Sequence, residues 1–143
     1  MSEPEEEEIL VEEIMSTPPI TVSPDSSASE VAKIMTEKKI GCVVVVENNR
    51  VVGIVTRRDL VEKVLAKEKD PSRTKVREIM SSPVIYVEPK APIMEVAKIM
   101  SKHDIRHIPV LDSKGLVGVI TDKDILSVAP DLIEVLTIRK YSS

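Results

Sequence analysis

The chain has 143 residues, of which 42% are hydrophobic and 31% charged, and its net charge at pH 7 is −4. No apolar run approaches the ~20 residues of a membrane-spanning helix, and the acidic N-terminus does not resemble a secretory signal. A single cysteine cannot form an internal disulfide, and with only two histidines the sequence contains no Cys/His zinc pattern. These features predict a globular cytoplasmic protein without membrane contact.

The charge is unevenly distributed along the chain. Residues 1–13 hold seven glutamates and no base, so removing those seven charges from −4 leaves +3 for Ile14–Ser143. We expect residues 1–10 to form a flexible acidic tail. The mildly basic remainder suits a small anionic ligand better than a DNA backbone, which usually binds a strongly basic face. The absence of glutamine and the presence of only two asparagines are thermophile-like features.

The rest of the chain is an internal repeat with a constant offset of 65 residues, and 21 of 50 gap-free aligned positions are identical. The matching blocks are Val11–Val22 with Val76–Val87, Glu30–Met35 with Glu95–Met100, and Val51–Leu60 with Leu116–Ile125. Two copies are too few for a solenoid, so we expect two pseudo-symmetric units that pack on each other.

Each copy predicts the element order β-α-β-β-α, taken along the chain. In the first copy the elements are a strand at Ile20–Val22, a helix within 23–39, strands at Cys42–Val46 and Val51–Val55, and a helix from Thr56. In the second copy they are Ile85–Val87, about Ala91–Lys102, His107–Leu111, Leu116–Ile120 and a helix from Thr121. The first helix has apolar residues at i, i+3, i+4 and i+7, with Ser26 or Ser27 as a candidate cap. The strands are continuously apolar, which predicts an α/β (α+β) fold with sheets covered on both faces.

A motif at the end of each hairpin carries the most specific chemistry. Gly53–Asp59 reads GIVTRRD and Gly118–Asp124 reads GVITDKD, so a threonine opens each helix and an aspartate follows three residues later. A threonine at a helix start can cap it or face a phosphate. An aspartate one turn later can accept hydrogen bonds from the two hydroxyls of a ribose. The same spacing is also a capping box, so the motif alone leaves both interpretations open.

Together with the repeat, three motifs carry a family resemblance: EIMS-x-P, the G-h-h-T-x-x-D ending (h, hydrophobic), and RHIPV at Arg106–Val110. The chain resembles a tandem pair of cystathionine-β-synthase (CBS) domains, a Bateman module, over about Val11–Ile125. We expect CBS units at residues 11–66 and 76–128, a linker at 67–75, and a closing helix or tail at 129–143. The resemblance implies a stand-alone regulatory, energy-sensing module that binds AMP, ADP or ATP in clefts between the two units and needs no other cofactor.

The resemblance also implies site residues. Asp59 and Asp124 would each hold a ribose, and Thr56 and Thr121 would lie near phosphate. Adenine would lie between Ile20 and the strand residues Val43 and Val44, and, in the other site, between Ile85 and Ile108 with Pro109. The basic residues that would contact phosphate are Arg106, His107, Arg58 and Lys123. Because the first copy has Gly41 and Cys42 where the second has Arg106 and His107, we expect unequal clefts, with the Asp59 ligand meeting the basic residues and binding more tightly.

Other readings follow from the same residues. No nucleophile–base set is present, so the sequence does not predict an enzyme. The resemblance implies a homodimer through helix faces, one with Ala28, Val31 and Met35 and the other with Ala91, Met94, Glu95 and Lys98. Because the sequence shows no fused effector domain, we expect action in trans on an unidentified protein partner. Met15 and Met80 read as core residues. The alternatives are an S-adenosylmethionine sensor, or a scaffold or nucleic-acid-interaction protein that uses the fold without a nucleotide.

Overall fold

The computed structural model describes residues 8–136, which form two compact units. The first unit is Pro18–Ile85, and the second unit combines the chain up to Thr17 with the chain from Tyr86 onward. In chain order the elements are α1 (Val11–Ile14), β1 (Thr21–Val22), α2 (Ala28–Lys38), β2 (Cys42–Glu47), β3 (Arg50–Thr56), α3 (Arg57–Leu60), α4 (Val76–Ile79), α5 (Ile93–His103), β4 (His107–Asp112), β5 (Gly115–Thr121) and α6 (Asp122–Val128). The predicted mixed fold of helices and strands is confirmed.

The first unit contains a three-stranded sheet in the order β1-β2-β3, with β1 parallel to β2 and β3 antiparallel to it. The predicted hairpin turns at Asn48 and Asn49, whose φ angles of 52° and 63° lie in the left-handed region that asparagine tolerates. Helix α2 begins at Ser27, whose hydroxyl accepts a hydrogen bond from Glu30 N at 3.1 Å. Its apolar side packs on the sheet, and the core of the unit is built mainly of valine.

The second unit repeats the hairpin with β4 and β5, but the predicted strand Ile85–Val87 is reduced to one parallel bridge between Val87 and Val110. In the first unit, Val44 N donates to Ile20 O at 3.1 Å and so pairs β1 with β2. The residue at the equivalent position of the second copy is Pro109, which has no N–H to donate to Ile85. The missing donor explains why the strand does not extend.

The units exchange the short segments that begin each sequence repeat. Helix α1 belongs to the second unit, where Ser16 forms a bridge with Val119 of β5. Helix α4 belongs to the first unit, where Ser81 forms the equivalent bridge with Ile54 of β3. Each EIMS segment therefore packs on the hairpin of the other repeat, a pairing that the linear order of the motifs does not indicate.

The helices that follow the two hairpins differ. Helix α3 is four residues long and continues as a π-helical turn, Val61–Leu65, whereas α6 is an α-helix throughout. The segment after α6 begins as a 3₁₀ turn, Pro130–Leu132, with Leu132 in the core of the second unit. The rest of the predicted closing segment beyond residue 136, and residues 1–7 of the predicted tail, lie outside the described residues. Within residues 8–136, no helix has the length and apolar character needed to cross a membrane.

Candidate functional site

Both T-x-x-D motifs form capping boxes at a strand-to-helix junction. Thr56 Oγ1 accepts from Asp59 N at 3.3 Å, and Asp59 Oδ2 accepts from Thr56 N at 2.9 Å. Thr121 and Asp124 make the same two bonds at 3.1 and 2.9 Å. The capping-box interpretation of the motif is therefore confirmed in both copies. Each capping box occupies one oxygen of its aspartate carboxylate.

The Asp59 carboxylate has further partners within the first unit. Lys63 Nζ lies 2.9 Å from Asp59 Oδ1, and the Ser81 hydroxyl donates to the same oxygen at 3.3 Å. The Thr56 hydroxyl adds a 3.3 Å contact to Oδ2, and the Asp59 side chain is only 7% exposed. Sequence reasoning did not single out Lys63 or Ser81. The i, i+4 spacing of Asp59 and Lys63 on a helix was a signal for the first, but Ser81 lies 22 residues away.

The Asp124 carboxylate is more open. Asp124 is half-buried, and within its own unit, over the described residues, its side chain accepts one hydrogen bond, the one from Thr121 N. The residue that the 65-residue offset places at the Lys63 position is Val128, which is 43% exposed and carries no charge. Among the described residues, Asp124 Oδ1 thus lacks the ammonium partner that Asp59 has.

Strand register places the basic residues of the second unit beside Thr121 and Asp122, at the start of the helix that carries Asp124. In the β4–β5 ladder His107 lies opposite Thr121, and Asp122 N donates to Arg106 O at 3.1 Å. The Arg106 guanidinium is 3.7 Å from Asp122 Oδ2 and 51% exposed. Lys123 is exposed on the first turn of α6.

The first unit has no counterpart to this basic pair at the same register position. There Cys42 lies opposite Thr56, and Gly41 O accepts from Arg57 N at 3.2 Å. Arg58 is exposed on α3. The two junctions are therefore chemically unequal, and which of them binds a ligand more tightly stays a prediction.

The apolar residues predicted to contact adenine fall into two groups. Val43 and Ile108 are fully buried in the cores of their own units. Val44 and Pro109, next in the strands, are buried as well, but they point to the opposite face of each hairpin because side chains alternate along a strand. Ile20 is half-buried and Ile85 is 37% exposed.

Two groups with shifted pKa values, Arg77 and Lys90, lie outside the T-x-x-D motifs. Hydrogen bonds from its guanidinium to Glu47 and Asp25 raise the pKa of Arg77, and a hydrogen bond to Glu12 raises the pKa of Lys90. Neither Arg77 nor Lys90 contacts a residue of a T-x-x-D motif through these hydrogen bonds. In the part of the chain that the structure describes, no group of three or more His, Cys, Asp or Glu side chains could hold a metal ion.

The CBS domain model matches residues 11–66 and 76–131. The chain belongs to the CBS-domain family. An uncharacterized protein of Methanopyrus kandleri is 42% identical over 87% of this chain. The chain spans 65–66% of the length of that protein and of two Methanocaldococcus jannaschii relatives.

Solved structures agree with this assignment. A CBS-domain protein from Burkholderia ambifaria has a TM-score of 0.79 and 37% identity, covering 86% of this chain and 96% of that one. The CBS-domain pair of protein MJ0100, solved in complex with 5′-methylthioadenosine and S-adenosyl-L-methionine, also has a TM-score of 0.79, with 35% identity over 87% of this chain and 98% of that one. The CBS pair organisation inferred from the repeat is therefore confirmed.

Proposed function

We propose that this CBS-domain protein is a regulatory module that binds an adenosine-containing ligand at the junction formed by Thr121 and Asp124. The observation that carries the proposal is the register of β4 and β5, which puts His107 opposite Thr121, the cap of the helix that carries the half-buried Asp124, with Arg106 next in the chain. The vicinal hydroxyls of a ribose donate to a carboxylate, and cationic side chains attract a phosphate. One junction in the second unit thus offers both kinds of group.

The Arg106 guanidinium is available to a phosphate at low cost. Its contact with Asp122 is 3.7 Å long and half-exposed, and ion pairs of that kind contribute little free energy in water. A phosphate can accept two parallel hydrogen bonds from a guanidinium, which is a stronger arrangement. Lys123 adds a second cation on the same junction, whereas Val44 and Pro109, predicted to contact adenine, are both buried.

This proposal assigns the tighter binding to Asp124, whereas the resemblance alone favoured Asp59. The change rests on the partners of the two carboxylates, because the Asp59 oxygens are occupied by groups of the first unit. It also keeps the phosphate-binding cations and the ribose-binding carboxylate within one unit.

AMP, ADP and ATP are the ligands that the basic residues favour. S-adenosylmethionine is the second candidate, and a specific observation supports it: the MJ0100 CBS pair, 35% identical to this chain, was solved with that compound and with 5′-methylthioadenosine. All of these molecules share the ribose that Asp124 would hold, so the carboxylate alone does not distinguish among them.

We also propose that the protein self-associates through its helices and acts in the cytoplasm on a separate protein partner. An apolar groove of about 560 Å³ lies along α2 and the π-helical turn, and the side chains at its rim, Val61 and Leu65, are 54% and 64% exposed. Of the predicted contact residues, Ala28, Val31 and Met35 are buried within their own unit, so Val61 and Leu65 replace them as the proposed contacts of the first unit. On the predicted helix of the second copy Met94 is 42% exposed, and it stays a proposed contact.

Thermal unfolding with AMP, ADP, ATP and S-adenosylmethionine tests the proposed ligand class. A ligand at ~100 times its Kd stabilises the folded protein by about 2.7 kcal/mol, which is a readable shift in Tm. We expect the shift to be lost in Asp124→Asn and kept in Asp131→Asn, an exposed carboxylate of the same unit. If the folded protein shifts with none of these ligands, the scaffold or nucleic-acid interpretation is favoured instead.

A further inference from the structure

We propose that Lys63 is a built-in cation that occupies the Asp59 carboxylate and closes the first unit's junction to ribose. Each chain then binds one adenosine-containing ligand, at Asp124. The inference rests on the proposed function for the chemistry of the ligand, but it concerns which of two similar motifs is open and which residue decides this.

The acceptor capacity of Asp59 is filled by its own unit. An ionised carboxylate has about four lone-pair positions. Asp59 Oδ2 accepts from the Thr56 N–H and hydroxyl at 2.9 and 3.3 Å, and Oδ1 faces the Lys63 ammonium and the Ser81 hydroxyl at 2.9 and 3.3 Å. With four donors and a side chain only 7% exposed, no oxygen is left for the two hydroxyls of a ribose.

Lys63 is held at a second point as well. Its Nζ donates to Ile79 O at 3.0 Å, a carbonyl at the last residue of α4 that has no later turn of helix to satisfy it. A ribose that displaced the ammonium from Asp59 would therefore compete with two contacts of Lys63. It would also separate a buried carboxylate from its counter-ion, which is unfavourable in a poorly solvated position.

The second unit provides an internal comparison. Thr121, Asp124 and Ser16 repeat Thr56, Asp59 and Ser81 at the offset of 65, so these three residue types are common to both junctions. Among the three side chains that contact the Asp59 carboxylate, Lys63 is the one whose residue type changes, because its position becomes Val128. Lysine against valine at this position is therefore the chemical difference that accounts for one filled and one open carboxylate.

The experiment is a titration of the whole chain with 5′-methylthioadenosine and with AMP by isothermal calorimetry, read as the number of ligands per chain. The variants are Lys63→Val, which installs the residue of the second copy, and Lys67→Val, an exposed lysine near the same turn, as a control. We expect one ligand per chain for the wild type and for Lys67→Val, and two for Lys63→Val. Thermal unfolding of each variant establishes that it is folded.

The reciprocal variant Val128→Lys covers the case in which Lys63→Val does not fold, since Val128 is a surface residue. With 5′-methylthioadenosine, which has no phosphate for the new lysine to attract, we expect affinity to fall about tenfold or more, equivalent to ~1.4 kcal/mol. Unchanged affinity in this variant would overturn the role assigned to a lysine at this position.

The remaining outcomes separate the inference from the proposed function. Two ligands on the wild type, or one ligand on both the wild type and a folded Lys63→Val, overturn the role of Lys63 and leave the adenosine-binding function standing. Binding that appears only in Lys63→Val supports the role of Lys63 but contradicts the assignment of Asp124. Binding to neither protein overturns both.

Discussion

Met15 lies where a side chain at Gly118 would begin, since a Cβ on Gly118 would be 2.7 Å from Met15 Sδ. The first unit has the same arrangement, with Met80 Sδ 2.6 Å from a Cβ on Gly53. The two methionines read from sequence as core residues are thus each packed on the repeated glycine of a hairpin strand. This contact joins each EIMS segment to the unit that it covers.

Gly118→Ala and Gly53→Ala are each expected to lower the free energy of unfolding by about 2–3 kcal/mol. At Gly118 the added Cβ would lie 2.9 Å from the backbone oxygen of Ser16, which is paired with Val119 and cannot easily move. At Gly53 the added Cβ would lie 2.9 Å from Met80 Cβ, which is attached directly to the backbone, so rotation of the methionine side chain does not relieve the contact. Urea denaturation measures both, and a negligible loss at either glycine would contradict the explanation.

Asp59→Asn is expected to destabilise the protein by about 2–3 kcal/mol, because four donors, including an ammonium, lose an anionic acceptor. The half-exposed Lys63 keeps the value below that of a fully buried pair. Asp124→Asn should cost about 1 kcal/mol or less, since that carboxylate accepts one hydrogen bond within its unit over the described residues. Chemical denaturation of the two variants, without ligand, tests the difference, and a larger loss for Asp124→Asn would argue against it.

Arg106→Ala is expected to weaken AMP binding by about tenfold, or ~1.4 kcal/mol, while leaving 5′-methylthioadenosine binding unchanged. The reason is that only AMP carries a phosphate for the guanidinium to contact. Lys114→Ala, which removes an exposed cation from the β4–β5 turn, serves as the control for a general loss of positive charge. Competition titrations give both affinities, and an equal loss for the two ligands would show that Arg106 does not recognise phosphate.

Leu65→Lys is expected to shift the protein toward a monomer, because it places a charge on the apolar rim that we propose as the self-association surface. Sedimentation velocity measures the change. Glu62→Lys, on the same turn but on an exposed polar position outside the groove lining, is the matched control and should leave the association state unchanged. A wild type that is already monomeric at high concentration would contradict the proposed interface.

Local pattern was sufficient for most of the fold. Apolar spacing predicted helix α2, turn residues predicted the hairpin at Asn48 and Asn49, and the repeat extended both to the second half of the chain. The loss of one predicted strand is also explained by a single residue. The predicted strand Ile85–Val87 shrank to a bridge because its pairing partner is Pro109, and strand pairing depends on a donor that propensity at residues 85–87 does not reveal.

The sequence by itself determined that the two T-x-x-D junctions exist and that they differ, because spacing and residue type are linear properties. Only the tertiary structure decided which carboxylate is filled. Ser81 reaches Asp59 because α4 packs on β3, and Lys63 is oriented by both Asp59 and a carbonyl of α4. Hydrogen-bond occupancy depends on distances between segments far apart in the chain, so folding, rather than the motif, distinguishes Asp59 from Asp124.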